Sequence, residues 1–299
     1  MTSLIGNAPV DGVDVAALLG IPISAEQERA VQAPLKPCAV IAGAGTGKTT
    51  VMAARVVWLV ASRLVSPEEI LGLTFTNKAT AELSERIESN LTRVGLLTSE
   101  QPRPTVATYD SFAGTLVNDY GAWDGISTGA HLITGARAYQ LAAEVVMGLD
   151  KAPLAATHMG PTFIAQAVVK LAGAMASHDA SPGKVRRADA RWRQMLLAAP
   201  TKRGGDRYAD IDKWLSRVDE REELLDLVAA YQNLKKERGL VEFGDRMVQA
   251  LHLVTHHPRV GEELRARYRV VLLDEYQDTS SAQADVLAAL FSGPDSSHG

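Results

Sequence analysis

The stretch AGAGTGKTT at residues 42–50 constrains this chain more than any other. An apolar run, CAVIA at 38–42, precedes it and reads as a buried strand. A helical pattern follows, from near Gly47 to about Leu64. Strand, glycine-rich loop and helix in that order make a phosphate-binding loop. Gly43, Gly45 and Gly47 permit positive φ and close backbone approach. The N–H groups of Gly43, Ala44, Gly45, Thr46 and Gly47 can therefore face a polyphosphate, with the helix N-terminus adding positive potential. Lys48 is expected to reach the β- and γ-phosphates and Thr49 to ligate Mg²⁺, with Thr50 completing the set. The expected cofactors are ATP and Mg²⁺.

Two more strand–helix units follow. ILGLTFT (70–76) leads into NKATAELSERIESNL, and PTVATY (104–109) into DSFAGTLVNDY. Repetition of this kind predicts a parallel α/β sheet. From about Trp123 to Arg238 no strand is convincing. Ala-rich helical patterns and one long amphipathic helix, ended by Gly239, fill that region. Strand character then returns in RYRVVLLDEY, and SSAQADVLAALF reads as a helix capped by Thr279 or Ser280. The expected organisation is a flexible lead-in over 1–13, an α/β domain over 14–117 and 239–299, and a helical insertion over 118–238.

A phosphate loop needs a carboxylate to hold its metal. Asp274 ends the apolar run VVLL, where strand ends face the loops. Glu275 beside it can take a proton from water attacking the γ-phosphate. A bare Asp-Glu turn would be a weak signal, but its partnership with Lys48 makes it a strong one. The long separation between them argues against a compact kinase or GTPase and for a motor ATPase with a grown substrate-handling domain.

These residues resemble the N-terminal part of superfamily 1 DNA helicases of the UvrD/Rep/PcrA type. ISAEQERAV (23–31) is similar to the Q motif, AGAGTGKTT to motif I, and LTFTNKATAEL (73–83) to motif Ia. ATYDSFAGTL (107–116) is similar to motif Ib, LVEFGDRM (240–247) to the segment before motif II, and LLDEYQDTSSAQ to motif II itself. The resemblance implies a RecA-like P-loop fold, called 1A, interrupted by a helical 1B subdomain. It implies that Gln27 reads the adenine edge and that Gln277 couples the γ-phosphate to DNA binding. It places Thr74, Phe75, Thr76, Asn77, Thr108 and Tyr109 along a single-stranded DNA track, with Phe75 against bases. Phe75 is otherwise a core aromatic on a strand. The implied activity is ATP-driven 3′→5′ translocation and unwinding at single-stranded and duplex-junction DNA. A second RecA-like domain would close the nucleotide cleft, and these 299 residues alone are expected to turn over ATP weakly. The alternative is a helicase-fold DNA-binding or structural subunit of a helicase–nuclease complex. A small-molecule phosphotransferase is disfavoured by motif Ia.

Two departures stand out. Tyr109-Asp110 occupies the place of Phe-His, and Asp110 could cap the following helix. Gly244 and Glu242 replace aspartates of the segment before motif II.

Composition excludes other classes. The net charge of −4 means that any nucleic-acid contact must come from a local patch. Residues 182–207 offer one, with eight basic residues against Asp189 and Asp206, readable as a duplex-contacting surface or as a solvated loop. The single cysteine, Cys38, excludes an internal disulfide and is expected in the core. His252 and His256 lack the glutamate of a metalloprotease helix and read as a helix-end cluster. No signal peptide or membrane span is visible, so a cytoplasmic location is expected.

Overall fold

The computed structural model describes residues 12–43, 45–127, 129–151, 159–202 and 205–292. Ala44 of the loop, Arg203 of the basic segment and most of the lead-in lie outside them. The described strands are β1 (Ile70–Thr74), β2 (Thr105–Thr108), β3 (His131–Leu132), β4 (Leu240–Val241) and β5 (Val270–Leu273). The helices are α1 (Val15–Leu19), α2 (Ala25–Val31), α3 (Lys48–Ala61), α4 (Asn77–Arg93), α5 (Tyr109–Tyr120) and α6 (Gly135–Met147). There follow α7 (Pro161–Ser177), α8 (Pro182–Leu197), α9 (Ala209–Glu237), α10 (Phe243–His256), α11 (Pro258–Arg267) and α12 (Ser281–Phe291). Two compact units emerge: Met1–Phe112, His257–Thr279 and Ala289–Gly299 in one, Ala113–His256 and Ser280–Ala288 in the other.

The first unit is built on a parallel sheet of order β2–β1–β5. Leu71 pairs with Thr105 on one side and Val271 on the other. The central strand β1 is buried along its whole length, as continuous apolar sequence in a parallel sheet demands. Leu83, Ile87 and Leu91 recur every four residues, so one stripe of α4 faces the core. It meets Ala53, Val56, Val57 and Val60 of α3 in one apolar cluster. Ser24 and Gln27 form the expected capping box on α2.

CAVIA is not a strand, and Cys38 is not a core residue. Residues 37–43 run without regular structure, Ile41 is 98% exposed and Cys38 is exposed. A strand exists only by pairing, and among the described residues the sheet has three members, with nothing laddered to the free edge of β5. For the same reason Val271, Leu272 and Leu273 are only half-buried, although the run reads as fully buried. Thr76 leaves β1 and caps α4, accepting from the Ala79 N–H at 3.1 Å. Thr108, not Asp110, caps α5, accepting from the Ser111 N–H at 3.0 Å. Ser280 caps α12, accepting from the Gln283 N–H at 3.2 Å.

The second unit is mainly helical. Small residues let α6, α7 and α9 approach closely: Ala138, Leu141 and Ala142, then Ile164, Ala165, Val168 and Ala172, close on Leu225, Val228 and Tyr231. One strand was missed here. β3 pairs in parallel with β4, with His131 opposite Leu240, and ties the chain's entry into the helical region to its exit. A two-residue strand leaves no periodicity to read. Gly244 has a packing cause: a Cβ there would stand 2.9 Å from the Ala176 Cβ of α7.

Residues 182–197 of the basic segment form the helix α8, and Arg186, Arg193 and Arg207 meet acids on α9. Arg186 donates to Glu222 at 2.6 Å and to Asp226 at 2.7 Å. Arg193 pairs with Asp219, and buried Asp189 accepts both arms of the Arg221 fork. Lys184 meets Asp179 at 3.1 Å and Arg207 meets Asp212 at 3.2 Å. His252 Nδ1 donates to the Asp124 carboxylate at 3.0 Å, and the ring stacks on His256. Among the described residues no group of three or more His, Cys, Asp or Glu side chains could hold a metal, and no helix is long and apolar enough to cross a membrane.

Candidate nucleotide-binding site

The loop takes the conformation its glycines allow. Gly45 and Gly47 sit at φ 75° and 84°, in the left-handed region where a side chain is strained. A Cβ on Gly47 would also come within 3.3 Å of Gln27 Nε2. The Thr46 hydroxyl donates to the Gly43 carbonyl at 2.8 Å and closes the turn. α3 then starts on Lys48.

Gln27 braces this loop from α2. Its Oε1 accepts from the Ser24 N–H at 3.0 Å, while its Nε2 donates to the Thr46 carbonyl at 3.1 Å. Both ends of the amide are therefore engaged within the protein. Thr50 accepts from Arg86 of α4 at 2.8 Å, a partner 36 residues away that no motif marks.

Asp274 follows β5, and its N–H donates to the Leu73 carbonyl at 2.9 Å, extending the β1–β5 ladder by one rung. Glu275 turns the chain sharply, at φ 49°. This strained turn brings its carboxylate 3.5 Å from the Lys48 ammonium, which also donates to the Ala42 carbonyl at 3.4 Å. Gln277 donates to the Glu275 carboxylate. The Gln277 hydrogen bond, and then Lys48, hold Glu275 below the ordinary carboxylate range. Asp274 is pushed the other way, by burial first and by the neighbouring Glu275 charge second. The two adjacent carboxylates thus differ in proton affinity, Asp274 holding a proton more tightly than Glu275.

The donor set fits Mg²⁺. A threonine hydroxyl and one carboxylate are hard oxygen ligands, and Mg²⁺ characteristically takes one or two carboxylates plus substrate phosphates. Thr49 and Asp274 would hold it, and bound there it would neutralise charge on the phosphates.

Of the residues expected along a DNA track, Thr76 and Asn77 are exposed and Phe75 is half-exposed. Thr74 is fully buried, its hydroxyl 2.6 Å from that of Thr80. Thr108 and Tyr109 are buried as well. These three lie behind the surface that Phe75, Thr76 and Asn77 present.

Residues 23–296 match the family described as the UvrD/REP helicase N-terminal domain. This chain belongs to that family. It is 26% identical over 272 residues to the DNA helicase II of Rickettsia typhi, covering 90% of this chain and 36% of that protein. It is 27% identical over 266 residues to the ATP-dependent DNA helicase UvrD1 of Mycobacterium leprae, covering 87% and 29%. It is 28% identical over 272 residues to the DNA helicase II of Haemophilus influenzae, covering 91% and 32%. The chain therefore spans about a third of the length of these curated relatives. An α/β fold with a parallel sheet and a UvrD/REP N-terminal sequence agree with each other.

Proposed function

We propose that this chain supplies one RecA-like half of an ATP-driven DNA helicase that tracks single strands 3′→5′. The observation that carries the reading is the meeting of Lys48 with Glu275 at 3.5 Å. Residues from opposite ends of the sequence form one phosphate- and metal-handling site. Glu275 acts as the base toward the attacking water, Asp274 and Thr49 hold Mg²⁺, and Gly43, Ala44, Gly45, Thr46, Gly47, Lys48, Thr49 and Thr50 cradle the phosphates. Gln27 leaves Thr46 to reach an adenine edge, and Gln277 leaves Glu275 when a γ-phosphate arrives. Phe75 offers a base-stacking platform, a sequence-neutral contact, flanked by Thr76 and Asn77 at the start of α4.

The domain division that accompanies this reading is 14–117 with 239–299 as the RecA-like part and 118–238 as the 1B insertion. A second RecA-like domain closes the cleft, in a cytoplasmic protein acting on single-stranded and junction DNA. The names of its relatives support an ATP-dependent DNA helicase. The intact Lys48, Thr49, Asp274 and Glu275 set weighs against the purely structural subunit of a helicase–nuclease complex.

The test is ATP turnover with and without oligo-dT, in a protein that joins this chain to a second RecA-like domain. Stimulation by single strands, abolished by Lys48→Ala, is expected. Turnover indifferent to DNA would refute the motor reading. These 299 residues alone are expected to hydrolyse ATP only weakly.

A further inference from the structure

Tyr109 stands where the resemblance to motif Ib implies phenylalanine, and its hydroxyl has a partner. The side chain is 4% exposed. Its ring lies 4.8 Å from that of Phe75, tilted by 47°. Its hydroxyl donates to the Asp274 carbonyl at 3.3 Å.

Asp274 is therefore gripped at both ends of its backbone. Its N–H is held by Leu73, two residues before Phe75 along the chain. Its C=O is held by Tyr109, against which the Phe75 ring lies. A carbonyl fixed in this way sets the peptide that leads into Glu275, whose left-handed backbone leaves it little freedom. A phenylalanine at 109 would keep the ring contact and release the carbonyl.

We propose that Tyr109 is a positioning residue that links the base platform at Phe75 to the Asp274–Glu275 turn through its hydroxyl. A base stacked on Phe75 presses on the Tyr109 ring. The hydroxyl passes the displacement to the peptide that orients the metal and water carboxylates. The link rests on the reading of Phe75 as a DNA contact and of Asp274–Glu275 as the Mg–nucleotide carboxylates. It adds a direct contact path within one domain.

Equilibrium binding tests it in the protein that joins this chain to a second RecA-like domain, where the cleft is closed and binding needs no turnover. The affinity of a fluorescent, non-hydrolysable ATP analogue with Mg²⁺ is measured with and without saturating oligo-dT, in wild type and Tyr109→Phe. Wild type is expected to show a DNA-dependent change in nucleotide affinity. Tyr109→Phe is expected to reduce that ratio by about fivefold, the equivalent of one hydrogen bond, or to bring it to unity. Each ligand alone should bind as in wild type, and the thermal midpoint should fall by no more than about 3 °C. Phe75→Ala should lose DNA affinity. Equal ratios in wild type and Tyr109→Phe would overturn the proposal while leaving the helicase reading intact, as would wild type binding both ligands without mutual effect. Wild type that binds neither ligand would overturn both.

Discussion

Lys235 carries a charge into the interior of the helical unit, and two carboxylates make that tolerable. It is 1% exposed, donates to Glu242 and Asp245 at 2.6 Å each, and lies over the Tyr231 ring. The Tyr231 hydroxyl donates to the same Glu242 oxygen at 2.8 Å. Lys235→Ala strands both carboxylates and is expected to cost about 3 kcal/mol in urea unfolding. Tyr231→Phe, which loses one hydrogen bond, is expected to cost about 1 kcal/mol. A marker of this site was legible: Val228, Tyr231 and Lys235 are spaced three and four apart, on one stripe of α9. Its partners were not, because the aspartate replacements at 242 and 244 look like decay until Glu242 is seen on Lys235 and Gly244 on Ala176. Tyr109 adds a pH dependence. Burial pushes its phenol from 10 up to about 12. Above pH 10 the unfolded chain releases this proton and the folded chain does not, so stability should fall between pH 10 and 12. Tyr231, also raised by burial and by Glu242, acts in the same direction. Alkaline melts of Tyr109→Phe that matched wild type would contradict this.

At the scale of elements, α8 and α9 show how pairing lowers the free charge that composition counts. Residues 182–207 hold eight basic residues, and Lys184, Arg186, Arg193 and Arg207 among them are paired with acids. Arg186 and Arg193 face acids on α9, and the Arg221–Asp189 fork is the most buried pair of the set. Arg186→Ala and Arg193→Ala are expected to leave DNA affinity within about twofold by anisotropy, and each to weaken the α8–α9 pairing slightly, less in high salt. Asp189→Ala should cost more, because it removes the buried partner of a bidentate arginine. Residues 37–43 are the converse case. An apolar run was legible, but its exposure was not, since β pairing depends on a neighbour that local sequence does not name. Cys38 should therefore react with a thiol reagent in the native protein as fast as a free thiol. A thiol reached only on unfolding would show the segment to be covered.

For the whole molecule, the separation of Lys48 from Glu275 is the central fact. Each arrives at the site by a different route, Lys48 on a loop closed by Thr46 and Gln27, Glu275 on a strained turn after β5. The parallel sheet brings them together because β1 pairs with β5 across nearly two hundred intervening residues, most of them folded into the separate helical unit. That unit has its own apolar core in α6, α7 and α9. Gly244→Asp, which forces a larger side chain against Ala176 within it, is expected to destabilise by about 2 kcal/mol without altering Mg–nucleotide affinity.

The amino-acid sequence by itself determined what is local. The glycine loop, the caps at Ser24 and Ser280, the stripes of α4 and α9, and the acidic pair after an apolar run all depend on neighbours a few residues away. Tertiary structure alone decided what depends on distant partners. It left residues 37–43 outside the sheet, turned Arg186 and Arg193 of α8 onto α9, gave Lys235 its carboxylates and set the Tyr109 hydroxyl on Asp274. The physical reason is the same in each case. Backbone geometry is fixed by adjacent residues, whereas pairing and burial are fixed by whichever groups the fold carries into contact.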